Sequence, residues 1–209
     1  MSDLSRLRLD RSLGEHLDSV AVYEGDFAAY RKKTRHQHAW KFERRQHFEE
    51  DDASRDALRR GDWPEALRLL EDDRAGLLDA AAYDRQRGHY FHRLRVVEEP
   101  LTPYMQWELH ALRMQAECGR RLRVVSADAI HGIEGGQLLP EVVVLGDQVL
   151  YDIIYSDTGV LEGAVRFTQP EVVGRWARFI EGTYASGEDM ISYFDRHVAL
   201  LPPPLHSGR

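Results

Sequence analysis

A near-repeated segment constrains the fold of this chain more than any other feature. The sequence reads HRLRVV at residues 92–97 and RRLRVV at residues 120–125, and both copies have the alternation of a strand. Between them, Thr102 suits a helix cap, Pro103 the first helical turn and Gly119 the helix end. The repeat therefore predicts a βαβ unit, with parallel strands and a right-handed crossover.

The segments on either side of this unit predict a larger mixed sheet. Residues 141–168 read as three antiparallel strands joined by tight turns at Gly146-Asp147 and at 157–159. Residues 38–48 favour one further strand, and Asp62 with Glu65 caps a single helix over 62–86. The fold class expected is α/β (α+β): a mixed sheet with a βαβ unit followed by an antiparallel meander, helices packed on the sheet, and a helical N-terminal part.

The domain organisation expected from these patterns is simple. Residues 1–24 have weak periodicity and are expected to form a loosely ordered leader, and residues 201–209 an unstructured tail. Residues 25–200 are expected to form one α/β domain. Within it, residues 25–88 are mostly helical, and residues 89–200 hold the sheet core and the C-terminal helices.

Composition excludes several classes of function. A net charge of −7 argues against a nucleic-acid binder that neutralises phosphates. No apolar run approaches the ~20 residues of a membrane span, and Cys118 is the only cysteine, so we expect a soluble cytoplasmic protein without disulfides or a Cys-based zinc site. No lysine follows Lys41, which excludes a P-loop or a Schiff-base lysine beyond that point. His36 and His38 have no evident third ligand, so we expect no metal and no cofactor.

The helix over residues 103–118 separates its side chains unusually well. One narrow polar sector contains Gln106 and His110, which we expect to face solvent. Tyr104 and Glu108 lie between two apolar stripes, one of which includes Trp107. Because an isolated buried charge is costly, Glu108 must pair with an arginine of the strand, face a ligand or reach solvent. The sequence leaves these three alternatives open.

Four arginines follow the same alternation in the two repeated strands. Arg93 and Arg95 in the first strand, and Arg121 and Arg123 in the second, lie opposite the leucines and valines, so we expect one shared arginine face. Mutual repulsion between these guanidinium groups requires acidic partners or a bound anion. Asp152 is one acid that could supply the internal pairing, and a bound anion is the alternative.

Several motifs carry a resemblance to a known family. The run RVVEEPLTPYMQWEL at residues 95–109 matches its signature RVRVVxEPLTxYxxWEL, and residues 40–48, 61–74 and 139–173 add further matches. The chain resembles an actinobacterial family of unknown function, commonly encoded beside XRE-type helix-turn-helix regulators. The resemblance implies a cytoplasmic regulatory or accessory protein, and it carries over no catalytic residue.

Two hypotheses of function follow. In the first, the protein is non-catalytic and binds a partner, such as a helix-turn-helix transcription regulator, or a small anionic ligand, with a homodimer left open. In the second, it is an enzyme on a phosphorylated or nucleotide-like molecule, with Glu108 or Asp152 as general base. The candidate binding residues are Arg93, Arg95, Arg121, Arg123, Tyr104, Trp107, Glu108, Asp152 and Arg166.

Overall fold

One mixed sheet organises the protein. The computed structural model describes residues 7–204 of the chain. Eight strands run in the order β1-β7-β6-β5-β2-β3-β4-β8 across the sheet. Their bounds are β1 Glu15–Leu17, β2 His38–Glu43, β3 Tyr90–Val97, β4 Arg121–Ser126, β5 Glu141–Leu145, β6 Val149–Tyr155, β7 Leu161–Phe167 and β8 Glu188–Asp189.

Helices connect and cover these strands. Their bounds are α1 Val20–Lys33, α2 Ala53–Arg59, α3 Trp63–Asp72, α4 Arg74–Gln86, α5 Pro103–Glu117, α6 Ala127–Glu134, α7 Pro170–Ser186 and α8 Met190–His197. None of the helices within residues 7–204 is long and apolar enough to cross a membrane.

The predicted fold class is confirmed. β3, α5 and β4 form the βαβ unit, with β3 and β4 parallel. β5, β6 and β7 form the antiparallel meander. The helical N-terminal part contributes β2, which inserts between β5 and β3 and runs parallel to β3. This insertion joins the two halves of the sheet.

Both faces of the sheet are covered. On one face, α7 packs over the central strands β2 to β6. The buried core between them includes Trp176, Phe42 and Leu94. On the other face, α5 and α8 cover β4 through Leu112 and Leu122. On that same face, α1 lies over a separate apolar cluster around Tyr151 on the meander.

The expectation of one shared arginine face is wrong. Arg93 pairs with Leu122 across the parallel ladder, and Arg123 pairs with Leu94. Paired residues of neighbouring strands point to the same face, so Arg93 lies on the α5 face and Arg123 on the α7 face. The two strands present their leucines to opposite faces because helices cover both sides of this sheet.

Two further expectations differ from the structure. Part of the expected leader is ordered, because β1 forms the edge of the sheet beside β7 and Leu17 is buried. Residues 1–6 of the leader and 205–209 of the expected tail lie outside the described residues. The helix expected over 62–86 is two helices, because a tightened turn at Asp73 ends α3, where the Asp73 N–H bonds to the Leu70 carbonyl at 3.1 Å. Asp62 caps α3 as expected, accepting the Glu65 N–H.

Candidate functional site: an arginine-lined cleft

A large cleft lies where two parallel strands end. Its volume is about 790 Å³, and it is bordered by Arg44 and Arg45 directly after β2 and by Glu98 directly after β3. Tyr104, in the first turn of α5, and residues of α2 complete the wall. The carboxyl ends of parallel strands meet at one edge of a sheet, where open α/β sheets commonly bind ligands.

Local capping places two side chains of the cleft. Asp52 caps α2 by accepting the Arg55 N–H at 2.9 Å, which puts Arg55 in the first turn. Thr102 caps α5 by accepting the Met105 N–H at 3.1 Å, which puts Tyr104 in its first turn. Both helices therefore begin near the cleft, and their first turns place Arg55 and Tyr104 against it.

Two arginines of the cleft are neutralised by protein carboxylates. Arg44 donates from Nε to Glu134 Oε1 at 2.7 Å and also pairs with Glu98. Arg59 pairs with Glu49 and Asp56. These two guanidinium groups shape the wall and leave little net charge for a ligand.

Arg55 is buried without an equivalent partner. It is 8% exposed, and its Nε has no hydrogen-bond partner among residues 7–204. The nearest carboxylate atom, Glu49 Oε2, is 3.9 Å away, and the guanidinium lies over the ring of Tyr104 at 5.1 Å from the centroid. Burial and then the charge of Arg59 lower the pKa of Arg55. The cleft therefore contains a desolvated cation that lacks a strong counterion.

Tyr104 adds an unused hydroxyl beside this cation. The residue is 4% exposed, and its Oη has no hydrogen-bond partner in the described part of the chain. Burial and then the charge of Glu108 raise the pKa of Tyr104, so the phenol stays protonated at neutral pH. An oxygen of a bound anion could accept from this hydroxyl.

Arg45 is another arginine of the cleft, and no carboxylate pair is found for it within residues 7–204. Its Nη2 donates to the backbone carbonyl of Ser156 at 3.1 Å, and the guanidinium lies 5.7 Å from the centroid of the Tyr155 ring. Backbone carbonyls orient this side chain without cancelling its charge. Arg45 and Arg55 are thus the two arginines of the cleft for which no close ion pair is found within residues 7–204.

Of the three alternatives for Glu108, the structure has the pair with the strand arginines. Glu108 is 3% exposed, and its Oε2 accepts from Arg95 Nη2 at 2.7 Å while its Oε1 accepts from Arg93 Nη2 at 3.3 Å. Arg95 also donates to the carbonyls of Glu43 and Val96. These residues join α5 to β3 inside the protein, and none of the three lines the cleft.

The other predicted binding residues are also engaged in the fold. Trp107 donates from Nε1 to Ser54 Oγ at 2.8 Å. Asp152 is buried and accepts from Arg11 Nε at 2.7 Å. Arg166 pairs with Glu15 and Asp26. The residues lining the cleft include Tyr104 but neither Glu108 nor Asp152, so neither carboxylate is placed as a general base there.

Arg121 and Arg123 lie on the opposite face of the sheet. Arg121 Nη1 is 3.2 Å from His92 Nε2, and Arg123 donates to the carbonyl of Ala185 at 2.9 Å. Arg123 thus holds the end of α7 instead of joining Arg93 and Arg95. Of the nine residues proposed from sequence, only Tyr104 borders the cleft.

Sequence reasoning missed the arginines that form the cleft. Arg44 and Arg45 lie inside the segment predicted as a strand but follow β2 in the structure, and Arg55 and Arg59 lie in α2. The usable signal was the position of Arg44 and Arg45 at the carboxyl end of a strand, where α/β sheets bind ligands. That signal requires knowing that β2 lies parallel to β3, which only the sheet topology shows.

The sequence analysis did not expect His36 and His38 to bind a metal. No group of three or more histidine, cysteine or acidic side chains suited to a metal ion occurs in the described residues. His38 instead stacks on Trp40 and His92, with centroid distances of 5.9 and 5.0 Å.

Comparison with known proteins identifies a family. The family model described as a domain of unknown function (DUF6879) matches residues 25–195. The chain belongs to this family. No match is found among the curated proteins or among the solved structures. The DUF6879 match spans the strands β2 to β8 together with all the arginines of the cleft.

Proposed function

We propose that this DUF6879 protein is a non-catalytic binding protein whose arginine-lined cleft takes a small ligand through an anionic group. The observation that carries this proposal is Arg55, a buried cation without a strong counterion. Removing a guanidinium group from water costs several kcal/mol unless a partner compensates, so a bound anion would stabilise this side chain.

A regulatory role in the cytoplasm is the wider form of this proposal. Its support is the resemblance to proteins commonly encoded beside helix-turn-helix regulators. A ligand-dependent interaction with such a regulator would connect the cleft to that role. Co-purification of the two proteins, with and without ligand, tests this part independently of the cleft.

Titration with inorganic phosphate tests the binding proposal. We expect phosphate to bind the full chain, as followed by calorimetry or by amide chemical shifts, and Arg55→Met to weaken binding at least about tenfold, since it removes a charge-assisted pair. Arg60→Gln is the matched control, because Arg60 is an exposed arginine that ends the same helix and does not line the cleft.

The thermal stability of the Arg55→Met variant shows whether Arg55 serves ligand binding or the stability of the fold. Without a strong counterion, Arg55 contributes a desolvation cost to the empty protein, so we expect the thermal midpoint of the variant to equal or exceed that of the wild type. Phosphate binding that is unchanged in Arg55→Met, or undetectable in the wild type, would overturn the proposal.

A further inference from the structure

Three segments of the chain meet at the edge of the sheet opposite the cleft. β2, β3 and β4 are parallel, so the segments 31–37, 84–90 and 119–121, which lead into them, lie at the same edge. The His36 N–H donates to the Gly88 carbonyl at 2.8 Å, which joins two of these segments directly. We call the surface that the three segments form the basic pole, after the charges that it carries.

Most cations of the basic pole have no carboxylate partner. The three segments contain eight lysines and arginines. Asp84 pairs with two of them, Arg31 and Arg120, and it is the one carboxylate within these segments. The other six are exposed, and no ion pair is found for them within residues 7–204: Lys32, Lys33, Arg35, Arg85, Arg87 and Arg121.

Neighbouring groups offset only part of this charge. Glu117 ends α5 beside the pole, and Asp147 approaches it, since its N–H donates to Gln37 Oε1 at 3.4 Å. Eight cations against these two carboxylates and Asp84 leave an excess of five positive charges. α1, α4 and α5 also end at the pole, and each helix C-terminus carries about half a negative charge. Roughly three positive charges therefore remain beyond what the helix ends and the carboxylates neutralise.

The rest of the protein has the opposite charge. Subtracting the excess of five from the net charge of −7 leaves −12 for the remainder of the chain. Exposed charges interact over about 8 Å at physiological salt, so a partner is attracted only while its charge stays close to the pole. A long polyanion such as nucleic acid extends beyond the pole and is repelled there, whereas a short acidic peptide segment is not.

We infer that the basic pole is a docking surface for an acidic segment of a partner protein. Neighbouring strands are about 4.8 Å apart, so the starts of β2 and β4 are separated by about 10 Å. An extended peptide advances about 3.5 Å per residue, so a run of aspartates and glutamates brings several carboxylates to the exposed cations at once. The pole and the cleft lie at opposite edges of the sheet, so this inference does not depend on the proposed function.

Two polyanions of matched charge test the kind of partner. An octaglutamate peptide with an amidated C-terminus has eight carboxylates, and a nine-nucleotide oligothymidine has eight phosphates on a longer chain. We expect octaglutamate to bind the full chain more tightly than oligothymidine, and its affinity to fall as the salt concentration rises. Calorimetry gives the dissociation constants, and amide chemical shifts should locate octaglutamate on the three segments of the basic pole.

A double variant assigns this binding to the basic pole. Lys32→Gln/Arg87→Gln removes two exposed cations at the ends of α1 and α4. We expect it to weaken octaglutamate binding about fivefold, because each exposed ion pair changes an equilibrium by about two- to threefold. Arg8→Gln/Arg60→Gln removes the same charge from exposed positions outside the pole and should weaken binding by less than about twofold. Circular dichroism verifies that both variants are folded.

Three results would overturn the inference. Tighter binding of oligothymidine or of phosphatidylserine vesicles would indicate a nucleic acid or a membrane surface in place of an acidic protein segment. Equal weakening by the two double variants would show that the attraction is spread over the whole protein. Chemical-shift changes confined to Arg45 and Arg55 would place octaglutamate in the cleft, which would support the proposed function and contradict the basic pole. Failure of inorganic phosphate to bind the cleft would overturn the proposed function alone.

Discussion

At the residue scale, Glu141 is a buried acid whose ionisation opposes folding. Its Oε1 accepts from the backbone N–H groups of Arg44 at 2.8 Å and Arg45 at 2.6 Å. Its Oε2 is buried and has no hydrogen-bond partner within residues 7–204. Burial and then the charge of Glu43 raise the pKa of Glu141 to about 7. The backbone of Arg44 and Arg45, at the edge of the cleft, is therefore bound by a carboxyl group that favours its neutral form.

This arrangement predicts a pH-dependent effect of Glu141→Gln. From the ordinary pKa of 4.5 up to about 7, the folded state retains a proton that the unfolded chain has lost, so rising pH lowers the free energy of unfolding of the wild type. Glutamine keeps an acceptor for both amides and cannot ionise. We expect the variant to gain up to about 3 kcal/mol relative to the wild type between pH 4 and pH 8, as measured by urea unfolding.

Subtracting the stability of the wild type from that of Glu141→Gln removes the pH dependence that the histidines contribute to both proteins. Burial lowers the pKa of His92 and of His110 to about 4, so both lose stabilisation as the pH falls below 6.5, opposite in direction to Glu141. Glu162→Gln, at an exposed position on β7, is the control and should show no such trend. A difference between Glu141→Gln and the wild type that is constant with pH would contradict the prediction.

At the scale of elements, α5 is enclosed more completely than its sequence indicates. Gln106 and His110 were expected to face solvent, and this expectation is wrong. Gln106 donates to the Pro202 carbonyl at 2.8 Å, and the ring of His110 packs edge-on against Phe194 of α8 and Trp63 of α3. The polar sector of α5 is covered because α8 packs against it late in the chain.

The connection between α5 and β3 depends on the buried charges of Glu108 and Arg95. Glu108→Ala leaves Arg95 buried without its carboxylate partner, so we expect a loss of about 3–5 kcal/mol in the free energy of unfolding. The double variant Arg95→Met/Glu108→Leu removes both charges and should recover most of this loss. Chemical denaturation measures both effects.

Glu117→Ala is the matched control on the same helix. Glu117 pairs with Arg113 near the surface at 3.0 Å, and exposed ion pairs contribute about 1 kcal/mol or less. A loss for Glu108→Ala as small as that for Glu117→Ala would show that the buried pair is not needed to hold α5 on the sheet.

At the scale of the whole molecule, stability should decrease from the centre of the sheet to its edges. β2, β3 and β5 lie in the middle, where core residues such as Phe42, Leu94 and Val142 are fully buried. β1 and β8 at the edges have three and two residues, and α1 contains no fully buried residue. Edge elements with few buried contacts open at low free energy.

Native-state hydrogen exchange tests this order. We expect the slowest amides in β2, β3 and β5, with exchange near the limit set by global unfolding, and faster exchange in α1, β1 and β8. Amides of β5 that exchange as fast as those of β1 would contradict this order. Such a result would indicate that the meander opens separately from the βαβ unit.

The sequence alone determined the fold class, and it limited Glu108 to three alternatives. The repeated strands with a capped helix between them predicted the parallel unit, and the tight turns predicted the meander, because these signals are local along the chain. The position of Glu108 between two apolar stripes required a partner, a ligand or solvent for its charge, and only the structure showed the pair with Arg95.

Only the tertiary structure decided which side chains meet. The alternation within each strand was correct, but a one-residue offset between β3 and β4 sends the arginines of the two strands to opposite faces. The insertion of β2 beside β3 places Arg45 and Arg55 at the start of α5, although these residues are far apart in the chain from that helix. Register and strand order depend on contacts between distant segments, and no local pattern in the sequence encodes them.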